Sequence, residues 1–465
     1  MHTRIQGTAV YPSTMPPWRG LAVRPQSVQI QHPRHQTGHP SAGYKEGTLR
    51  VYGNALSTGI MKRLFIVDEH ISSLMNGVGT FMSTLLDCLK GTDMEVFLLS
   101  YNEDVKELSI SEQKHHTIVS FPPHVDGGFL RHGWMTLPLL RTFIPDGAEN
   151  VFLMSHSPCL GYLKTIRRLY PKSKIVFAIH DQGWTAPLLG DTCKLKQIMA
   201  ARRQPAAYKE AYSTIKSFVR EEQRMYALVD GVVCLCQRTA MLLQEVYRVP
   251  QCKIHIIPNG IDYQDCVQDS RLRESVRKQK GIREEETLLL YAGRTTAAKG
   301  ILNLLDAFEQ AVQKRPDLRL VIAGAVFDMN EFCARTPKSA SRVVYTGQIS
   351  PRELAEWYDI ADIGILPSYT EQCSYTALEM MAHHLPVITT DGNGLGDMFT
   401  DGKDAIVVKA DPEHLTESLL EAMERMTQMD NGEQKKLSAR AYDNLKERYD
   451  RNTMGKKYIQ LFNTI

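Results

Sequence analysis

The chain has no apolar run approaching the roughly 20 residues that a membrane-spanning helix needs. It also has little net charge, because 55 Lys and Arg against 52 Asp and Glu leave +3, too little to predict nucleic-acid binding. Its nine cysteines are odd in number and scattered, and no C-x-x-C pair indicates zinc or redox chemistry. Thiols used in this way are typical of a reducing compartment. We therefore expect a cytoplasmic protein that does not bind nucleic acid.

The first sixty residues are rich in Pro, His, Gln and Gly and show no periodic apolar face. Such a segment cannot bury enough apolar surface to offset the entropy lost on ordering. It also lacks the charged start and apolar core of a signal peptide. At Met61 the sequence changes to MKRLFIVDEH, a basic pair followed by a strand of buried type. We predict that residues 1–60 are a disordered tail or a mis-assigned start.

From Met61 onward, short apolar runs alternate with longer helical patterns. The runs are aliphatic or β-branched, which is typical of parallel strands covered on both faces. They form two series, 64–67, 95–99, 151–154, 175–179, 231–235 and 254–257, then 288–292, 318–323, 343–346, 363–366, 387–389 and 406–408. This alternation predicts an α/β protein with two doubly wound parallel sheets in Rossmann-like domains.

A polar stretch near 262–285 separates the two series and is the natural domain boundary. We predict an N-terminal domain at 61–262, a linker at 263–285 and a C-terminal domain at 286–445. A last helix at 446–465 is predicted to return to the N-terminal domain.

The longest helical pattern covers residues 193–229. Five apolar or aromatic residues follow a period near 3.6, with four basic residues opposite: Tyr208, Tyr212, Ile215, Val219 and Tyr226 against Lys209, Lys216, Arg220 and Arg224. A core-facing helix with a solvated basic side is the favoured interpretation. The alternative is a face for peripheral contact with the inner side of the membrane, or for an acceptor.

The first series offers two candidate sites. Gly77-Val78-Gly79-Thr80 immediately precedes an amphipathic helix, where glycines let backbone N–H groups approach a phosphate. A plain tight turn fits Gly77 and Gly79 equally well. His180 follows strand 175–179 at its carboxyl end, where ligands of doubly wound sheets bind. A single histidine there is as often structural.

The second series ends its first strand in GRTTAAKG, which places Arg294 and Lys299 on one loop. Such a pair suits a diphosphate, because Arg binds bidentately and Lys acts as a mobile point charge. The alternative is a solvated basic loop.

The stretch EQCSYTALE places Glu371 before a predicted helix over Tyr375–Ala382 and Glu379 within it. The backbone N–H groups around Ser374, Tyr375 and Thr376 then form a helix N-terminus that can face a phosphate. One carboxylate could hold sugar hydroxyls and the other a ribose. The alternative is a loop charge and a helix-start charge that only contribute stability.

Taken together, GVGT, HDQ, PNGID at 258–262, GRTTAAKG and Glu371-x7-Glu379 resemble the GT-B glycosyltransferases of retaining family 4. The order and spacing agree over residues 61–465. The resemblance implies a GT-B fold, in which an acceptor-side N-terminal domain and a nucleotide-sugar-binding C-terminal domain face a cleft. PNGID would mark the crossing between them.

The resemblance also implies roles for the candidate residues. Arg294 and Lys299 would bind the donor diphosphate, Glu379 the ribose hydroxyls, and Glu371 the donor sugar near the reacting carbon. His180 would contact that sugar across the cleft. Gly77 and Gly79 would let the N-terminal loop approach the donor. Two segments depart from the family pattern, GAVFD after strand 318–323 and GNGLGD at 392–397, which leaves the nucleotide and the sugar open.

The expected activity is therefore a retaining glycosyl transfer in polysaccharide biosynthesis, from a nucleotide diphosphate sugar to a glycan, lipid-linked or peptide acceptor. No D-x-D motif ends an early strand, so we expect neither a metal nor another cofactor. Two alternatives remain, a GT-B nucleotide-sugar 2-epimerase and a non-catalytic module that binds nucleotide sugars.

Overall fold

The computed structural model of this protein describes residues 61–69, 77–101, 105–122, 133–155, 159–202, 208–263, 270–326 and 328–465. The predicted tail at 1–60 lies outside these residues. Every strand predicted from the sequence is present, to within two residues at either end. Two α/β sheets of mainly parallel strands result, as the alternating pattern predicted.

The first sheet has eight strands in the order β3-β4-β2-β1-β5-β6-β7-β8. They are β1 Arg63–Glu69, β2 Glu95–Tyr101, β3 Ser109–Glu112, β4 Thr117–Ser120, β5 Asn150–Met154, β6 Lys174–Ala178, β7 Gly231–Cys234 and β8 Ile254–Ile256. All neighbours pair in parallel except β3 and β4, which are antiparallel. The sequence did not predict β3 and β4. All four residues of β3 are exposed, so it presents no apolar run.

The second sheet has six parallel strands in the order β11-β10-β9-β12-β13-β14. They are β9 Thr287–Ala292, β10 Leu318–Ala323, β11 Val343–Gly347, β12 Ile363–Leu366, β13 Val387–Thr390 and β14 Ile406–Val408. The central strand β9 is almost entirely buried, which agrees with its unbroken aliphatic sequence.

Helices cover both sheets. They are α1 Gly77–Leu89, α2 Gly133–Phe143, α3 Leu160–Leu169, α4 Thr192–Ala200, α5 Lys209–Leu228, α6 Gln237–Glu245, α7 Ser270–Gln279, α8 Ile301–Lys314, α9 Met329–Arg335, α10 Pro351–Ile360, α11 Tyr375–Ala382, α12 Leu395–Met398, α13 Leu415–Gln428, α14 Asn431–Arg448 and α15 Arg451–Thr464. The prediction for Tyr375–Ala382 is confirmed. The prediction that glycines 77 and 79 precede a helix is wrong, because α1 begins at Gly77 itself.

The pattern at 193–229 forms two described helices, α4 and α5, instead of one. On α5, Ile215, Val219 and Tyr226 are buried, as their period predicted. Tyr208 precedes the helix and is 57% exposed, so its assignment to the core was wrong. Its ring instead stacks on Tyr212, with the ring centroids 5.5 Å apart.

The chain passes twice between the two sheets at one place. The backbone N–H of Ile261 donates to the carbonyl oxygen of Tyr449 at 2.9 Å, and that of Arg451 donates back to Ile261 at 3.1 Å. Helix α15 then packs on α1, where Gly455 lies so close to Cys88 that a Cβ would collide with it. The last helix therefore lies against the helix that follows β1.

A buried carboxylate organises the amino-end edge of the second sheet. Glu286 has no exposed side-chain surface and accepts hydrogen bonds from Arg283, Arg319 and Arg342. The Arg319 guanidinium binds it in bidentate fashion, at 2.8 and 3.1 Å. Burial raises the pKa of Glu286, but the hydrogen bonds from Arg319 and Arg283 outweigh it and lower the pKa from 4.5 to about 2.

We expect Glu286→Gln to lower the free energy of unfolding by about 3 kcal/mol at neutral pH, since the variant leaves the Arg319 and Arg342 guanidinium groups without their anion. Because the folded pKa lies below the ordinary value, this stability is present above about pH 4.5 and is lost as the pH falls toward 2. Urea denaturation at pH 7 and pH 3 measures both effects. Glu285→Gln is the matched control, because Glu285 pairs with Arg283 but is 66% exposed. Equal losses in both variants would contradict the prediction.

Candidate active site

Most of the predicted site residues follow strands at the places where the two sheets reverse their strand order, whereas His180 follows β6. The second sheet reverses between β9 and β12, and the first between β1 and β5. Open α/β sheets bind ligands outside the carboxyl ends of such strands. Loops 293–300 and 367–374 follow β9 and β12, and helix α1 follows β1.

Gly300 brings the first of these loops against the second. It adopts a left-handed φ of 65°, and a Cβ there would collide with the carbonyl oxygen of Pro367. Only glycine meets both requirements without strain. The backbone N–H of Tyr369 also donates to Ala298 at 3.0 Å. Lys299 is therefore fixed beside the segment that carries Glu371.

Lys299 and Glu371 form the centre of the site. The Lys299 Nζ donates to Glu371 Oε1 at 2.6 Å, and the Ser368 hydroxyl donates to the same oxygen at 3.1 Å. The two charged side chains are only 17% and 16% exposed. No described residue pairs with the second oxygen of Glu371, so that atom can meet a ligand hydroxyl.

Arg294 lies on the same loop but its side chain is exposed. Its carbonyl oxygen accepts a hydrogen bond from the Tyr291 hydroxyl at 2.5 Å, which fixes the backbone of the loop. Within the described part of the chain, its guanidinium makes no ion pair or hydrogen bond. An anion entering the site could therefore bind it without displacing a partner.

Helix α11 places its N-terminus in the same region. The Ser374 hydroxyl caps it by accepting from Ala377 N at 3.4 Å, so this side chain already has a partner. Tyr375 is buried and Thr376 half-buried at the first two helical positions. The first-turn N–H groups of a helix have no intrahelical partner and carry partial positive charge, which favours an anion here.

Glu379 lies one turn further along α11. Its Oε2 accepts from the Tyr358 hydroxyl at 2.7 Å. Burial raises the pKa of this carboxyl, while the Tyr358 hydrogen bond and nearby His383 lower it. His383 in turn bonds Asp359 through Nδ1 at 2.7 Å. The protein thus holds one oxygen of Glu379. The raised pKa favours a proton on this carboxyl, and the second oxygen can accept from a hydroxyl.

The first sheet contributes α1 and His180. A Cβ at Gly77 would lie 3.6 Å from the Tyr375 ring, so the start of α1 approaches the start of α11. His180 is half-buried, and its ring lies 4.6 Å from the ring of Phe81 on α1. Gly79 lies in the first turn of α1. The described contacts therefore join Lys299 directly to Glu371 and Gly77 to Tyr375, while the His180 ring packs against Phe81 of α1. Among the described residues, no side-chain hydrogen bond or ion pair joins Arg294 or Glu379 to another predicted residue, although Glu379 lies one helical turn after Tyr375.

Sequence reasoning missed the residues that fix the Glu371 loop from the first domain. The Thr239 hydroxyl donates to Gln372 at 2.7 Å, and the Asn259 amide donates to the carbonyl oxygen of Cys373 at 2.8 Å. Asn259 lies in PNGID, which was identified only as a crossing. Thr239 lies on α6 and gave no signal, because a threonine on a predicted helix is ordinary.

The segment GNGLGD at 392–397, which departs from the family pattern, lies directly against the Glu371 loop. Gly394 N donates to the Glu371 carbonyl oxygen at 2.8 Å, and a Cβ at Gly394 would collide with the Gln372 carbonyl.

The described residues contain no group of three or more His, Cys, Asp or Glu side chains that could hold a metal ion. In the same part of the chain, no helix has the length and apolar character needed to cross a bilayer.

Two families of glycosyltransferases match the sequence of this chain. The family described as Glycosyltransferase Family 4 matches residues 75–265, and Glycosyl transferases group 1 matches residues 273–444. A lipopolysaccharide 1,2-N-acetylglucosaminetransferase of Salmonella typhimurium is 31% identical over 33% of this chain and 43% of its own. A D-inositol 3-phosphate glycosyltransferase of an Arthrobacter species is 29% identical over 75% of this chain and 83% of its own. The chain spans about half the length of several curated relatives that it matches.

Solved structures show the same architecture. The Anabaena protein HepE, in complex with UDP and glucose, has a TM-score of 0.64 at 14% identity, over 87% of this chain and all of the other. Similarity at this level establishes the fold alone. Because the two adjacent family matches account for most of the chain and the two sheets have the GT-B architecture, this chain belongs to the GT-B glycosyltransferases of family 4.

Proposed function

We propose that this chain is a retaining glycosyltransferase that moves a sugar from a nucleotide diphosphate sugar to a glycan, lipid-linked or peptide acceptor. The observation that carries the proposal is the Lys299–Glu371 pair, 2.6 Å apart, on adjoining loops beside the N-terminus of α11. Lys299, a cation that can bind a diphosphate, is then adjacent to Glu371, a carboxylate that can bind a sugar. The Anabaena neighbour was solved with UDP and glucose, which supports a donor of this class.

In the proposed reaction, the bond between the anomeric carbon and the diphosphate oxygen breaks, and the diphosphate gains negative charge. Lys299, Arg294 and the first turn of α11 stabilise that charge, since fixed cations and dipoles lower the barrier where charge develops. The acceptor oxygen bonds to the anomeric carbon on the same face, and its proton passes to the departing phosphate oxygen. Glu371 positions the sugar through the oxygen that Lys299 leaves open.

The acceptor is proposed only as a class. The relatives' names refer to lipopolysaccharide, inositol 3-phosphate and diacylglycerol products or substrates. Because these acceptors differ in size and polarity, glycan, lipid-linked and peptide acceptors all remain within the proposal, as does peripheral contact with a membrane that presents a lipid-linked acceptor.

Incubating the purified protein with a panel of nucleotide sugars and acceptors tests the proposal. We expect acceptor-dependent release of a nucleoside diphosphate, and a product that keeps the donor's anomeric configuration by NMR. Conversion of the donor to its C2 epimer without nucleotide release would contradict the proposal, and so would tight donor binding with no turnover across the panel.

We expect turnover to need no metal ion, because Lys299, Arg294 and the α11 N-terminus supply positive charge for the diphosphate. The measurement is the rate of nucleotide release after exhaustive treatment with EDTA, compared with the untreated enzyme. The two rates should agree. Abolished activity that Mg²⁺ or Mn²⁺ restores would contradict this expectation.

A further inference from the structure

Loop 179–191 joins β6 to α4 and spans the distance between two parts of the site. His180 lies at its start. Near its other end, Gly190 adopts a left-handed φ of 73°, and a Cβ there would lie 2.7 Å from the Tyr369 carbonyl oxygen and 3.0 Å from the Thr370 side chain. Tyr369 and Thr370 immediately precede Glu371. The position of this loop therefore affects both His180 and the residues Tyr369 and Thr370, against which Gly190 lies.

Helix α5 holds the middle of this loop at Gly183. The Gly183 backbone N–H donates to Glu222 Oε1 at 2.8 Å. Phe218, one turn earlier on α5, covers the same residue so closely that a Cβ at Gly183 would lie 2.9 Å from its ring. Glu222 Oε2 accepts from the Tyr247 hydroxyl at 2.5 Å, and the Glu222 residue is only 4% exposed. A buried carboxylate thus ties the loop to a helix outside it.

The loop also has hydrogen bonds of its own. Asp181 Oδ1 accepts from the Thr185 hydroxyl at 2.6 Å and from Gln182 N at 2.8 Å, and Gly190 N donates to the Thr185 carbonyl at 2.8 Å. These bonds give the loop a local shape without fixing it to the rest of the domain. Glu222 attaches the middle of the loop to α5, in addition to the hydrogen bond from Ile179 N to the Val233 carbonyl oxygen at 2.8 Å and the burial of Trp184 in the core.

We propose that Glu222 is a positioning residue that fixes loop 179–191, and through it His180 and the segment preceding Glu371, for glycosyl transfer. The consequence for turnover rests on the proposed function, whereas the attachment of the loop to Glu222 does not. The ionised carboxylate is the form that holds the loop, because it accepts from Gly183 and Tyr247 together, and charged acceptors form the stronger hydrogen bonds. Once protonated, one of its oxygens must donate instead.

The charge on Glu222 changes near neutral pH. Burial raises the pKa of its carboxyl to about 7, although the hydrogen bonds from Tyr247 and Gly183 lower it and the charges of Asp181 and Glu221 raise it further. The titratable groups that face it are Asp181 from the loop, Glu221 and Tyr226 from α5, and Tyr247 beyond α6. We therefore expect the loop to be held firmly above pH 7 and loosely below it.

Stability and turnover should respond to this group in opposite directions. The folded pKa lies above the ordinary value of 4.5, so the native state holds the proton more tightly than the unfolded chain. The stability that this provides is full below about pH 4.5 and is lost as the pH rises through 7. Turnover, by contrast, should rise over the upper part of that interval. A residue with a purely structural role would change both quantities together.

Trp184 reports on the loop directly, because it follows Gly183 and is 1% exposed. We expect its fluorescence emission to change with a midpoint near pH 7 in the full-length protein, with Trp184→Phe as the blank. Turnover should rise about tenfold over the same pH interval. In Glu222→Gln, which keeps the shape but not the charge, the emission transition should vanish, and turnover should stay near the acid value of the wild type. Glu221→Gln is the matched control on the same helix and should keep the transition.

Persistence of the transition in Glu222→Gln, or its absence from the wild type, would overturn the proposal. An acid limb of turnover due to His180 would remain in Glu222→Gln, because that imidazole is unchanged, so the comparison separates the two groups. If no donor supports turnover in any variant, the proposed function fails, but the emission transition still decides whether Glu222 holds the loop.

Discussion

We expect Lys299→Ala to lower the turnover number about 10²- to 10³-fold, which is the usual cost of removing one group that stabilises a developing negative charge. Lys299 stands at the centre of the site, 2.6 Å from Glu371, with both side chains largely shielded from solvent. Its charge would stabilise the leaving diphosphate, and its hydrogen bond would orient the carboxylate that faces the sugar. Both contributions disappear in the alanine variant.

The measurement is the rate of nucleoside diphosphate release at saturating donor, with Lys314→Ala as the matched control. Lys314 also forms an ion pair, with Glu424 at 2.5 Å, but its side chain is 64% exposed. Exposed pairs of this kind contribute about 0–1 kcal/mol to stability. The control should therefore keep wild-type turnover. Similar rates in both lysine variants would remove Lys299 from the proposed mechanism.

The double variant Lys299→Ala with Glu371→Gln extends the same prediction. Side chains that share a hydrogen bond show non-additive effects. If Lys299 acts partly by orienting Glu371, the loss in the double variant should be smaller than the combined losses of the single variants. Strict additivity would mean that Lys299 acts on the diphosphate alone.

The sequence predicted the strands and α11 well because their determinants are local. Strands buried on both faces need unbroken aliphatic runs, and such runs are visible in any single sequence. Helix α11 begins after Ser374, a residue type that caps helices, and the adjoining Glu371 and Glu379 marked the segment as unusual. The family resemblance could therefore be based on elements whose positions the structure confirms.

Other elements were missed because their determinants are distant or polar. Helix α7 lies inside the predicted linker, and its Arg277 is 7% exposed, where it donates to the Ile360 carbonyl at 2.8 Å and to Asp362 at 3.2 Å. A charged residue that packs inward produces no apolar period. The start of α1 was also misplaced, since Gly77 and Gly79 are typical of a loop.

The site depended on contacts that no local pattern encodes. Lys299 and Glu371 are 72 residues apart in the chain, and their contact depends on the collision-free approach of Gly300 to Pro367. Glu222 was not identified from the sequence, because a glutamate within a helical pattern is ordinary. Its two partners, Gly183 of the loop and Tyr247 beyond α6, meet it only in the folded chain.

Variants of Glu379 on α11 and of Glu371 on the loop before it should affect different quantities, the first the affinity for the donor and the second the rate of the chemical step. Glu379 has Oε2 occupied by Tyr358, so under the proposed function its Oε1 would accept from a ribose hydroxyl. In Glu379→Gln, Tyr358 would retain the amide oxygen, and the amide nitrogen would face the ribose with hydrogens instead of lone pairs. The Glu371 carboxylate contacts Lys299 and Ser368, and neither of these residues is assigned to the ribose.

We therefore expect Glu379→Gln to weaken binding of the product nucleoside diphosphate about ten- to a hundredfold, since a hydrogen bond to a charged group contributes about 1.5–3 kcal/mol. Glu371→Gln should leave the affinity for that nucleoside diphosphate nearly unchanged and lower the turnover number, because the lost charge acts on the sugar as its bond to the diphosphate breaks. Titration calorimetry with the nucleoside diphosphate that the donor panel identifies, beside turnover rates of both variants, measures the two effects, and each variant is the control for the other. Wild-type affinity in Glu379→Gln together with wild-type turnover in Glu371→Gln would reduce both residues to loop and helix charges and refute this site. A parallel loss of affinity in both variants would place the two carboxylates on the same half of the donor and contradict the division of roles between them.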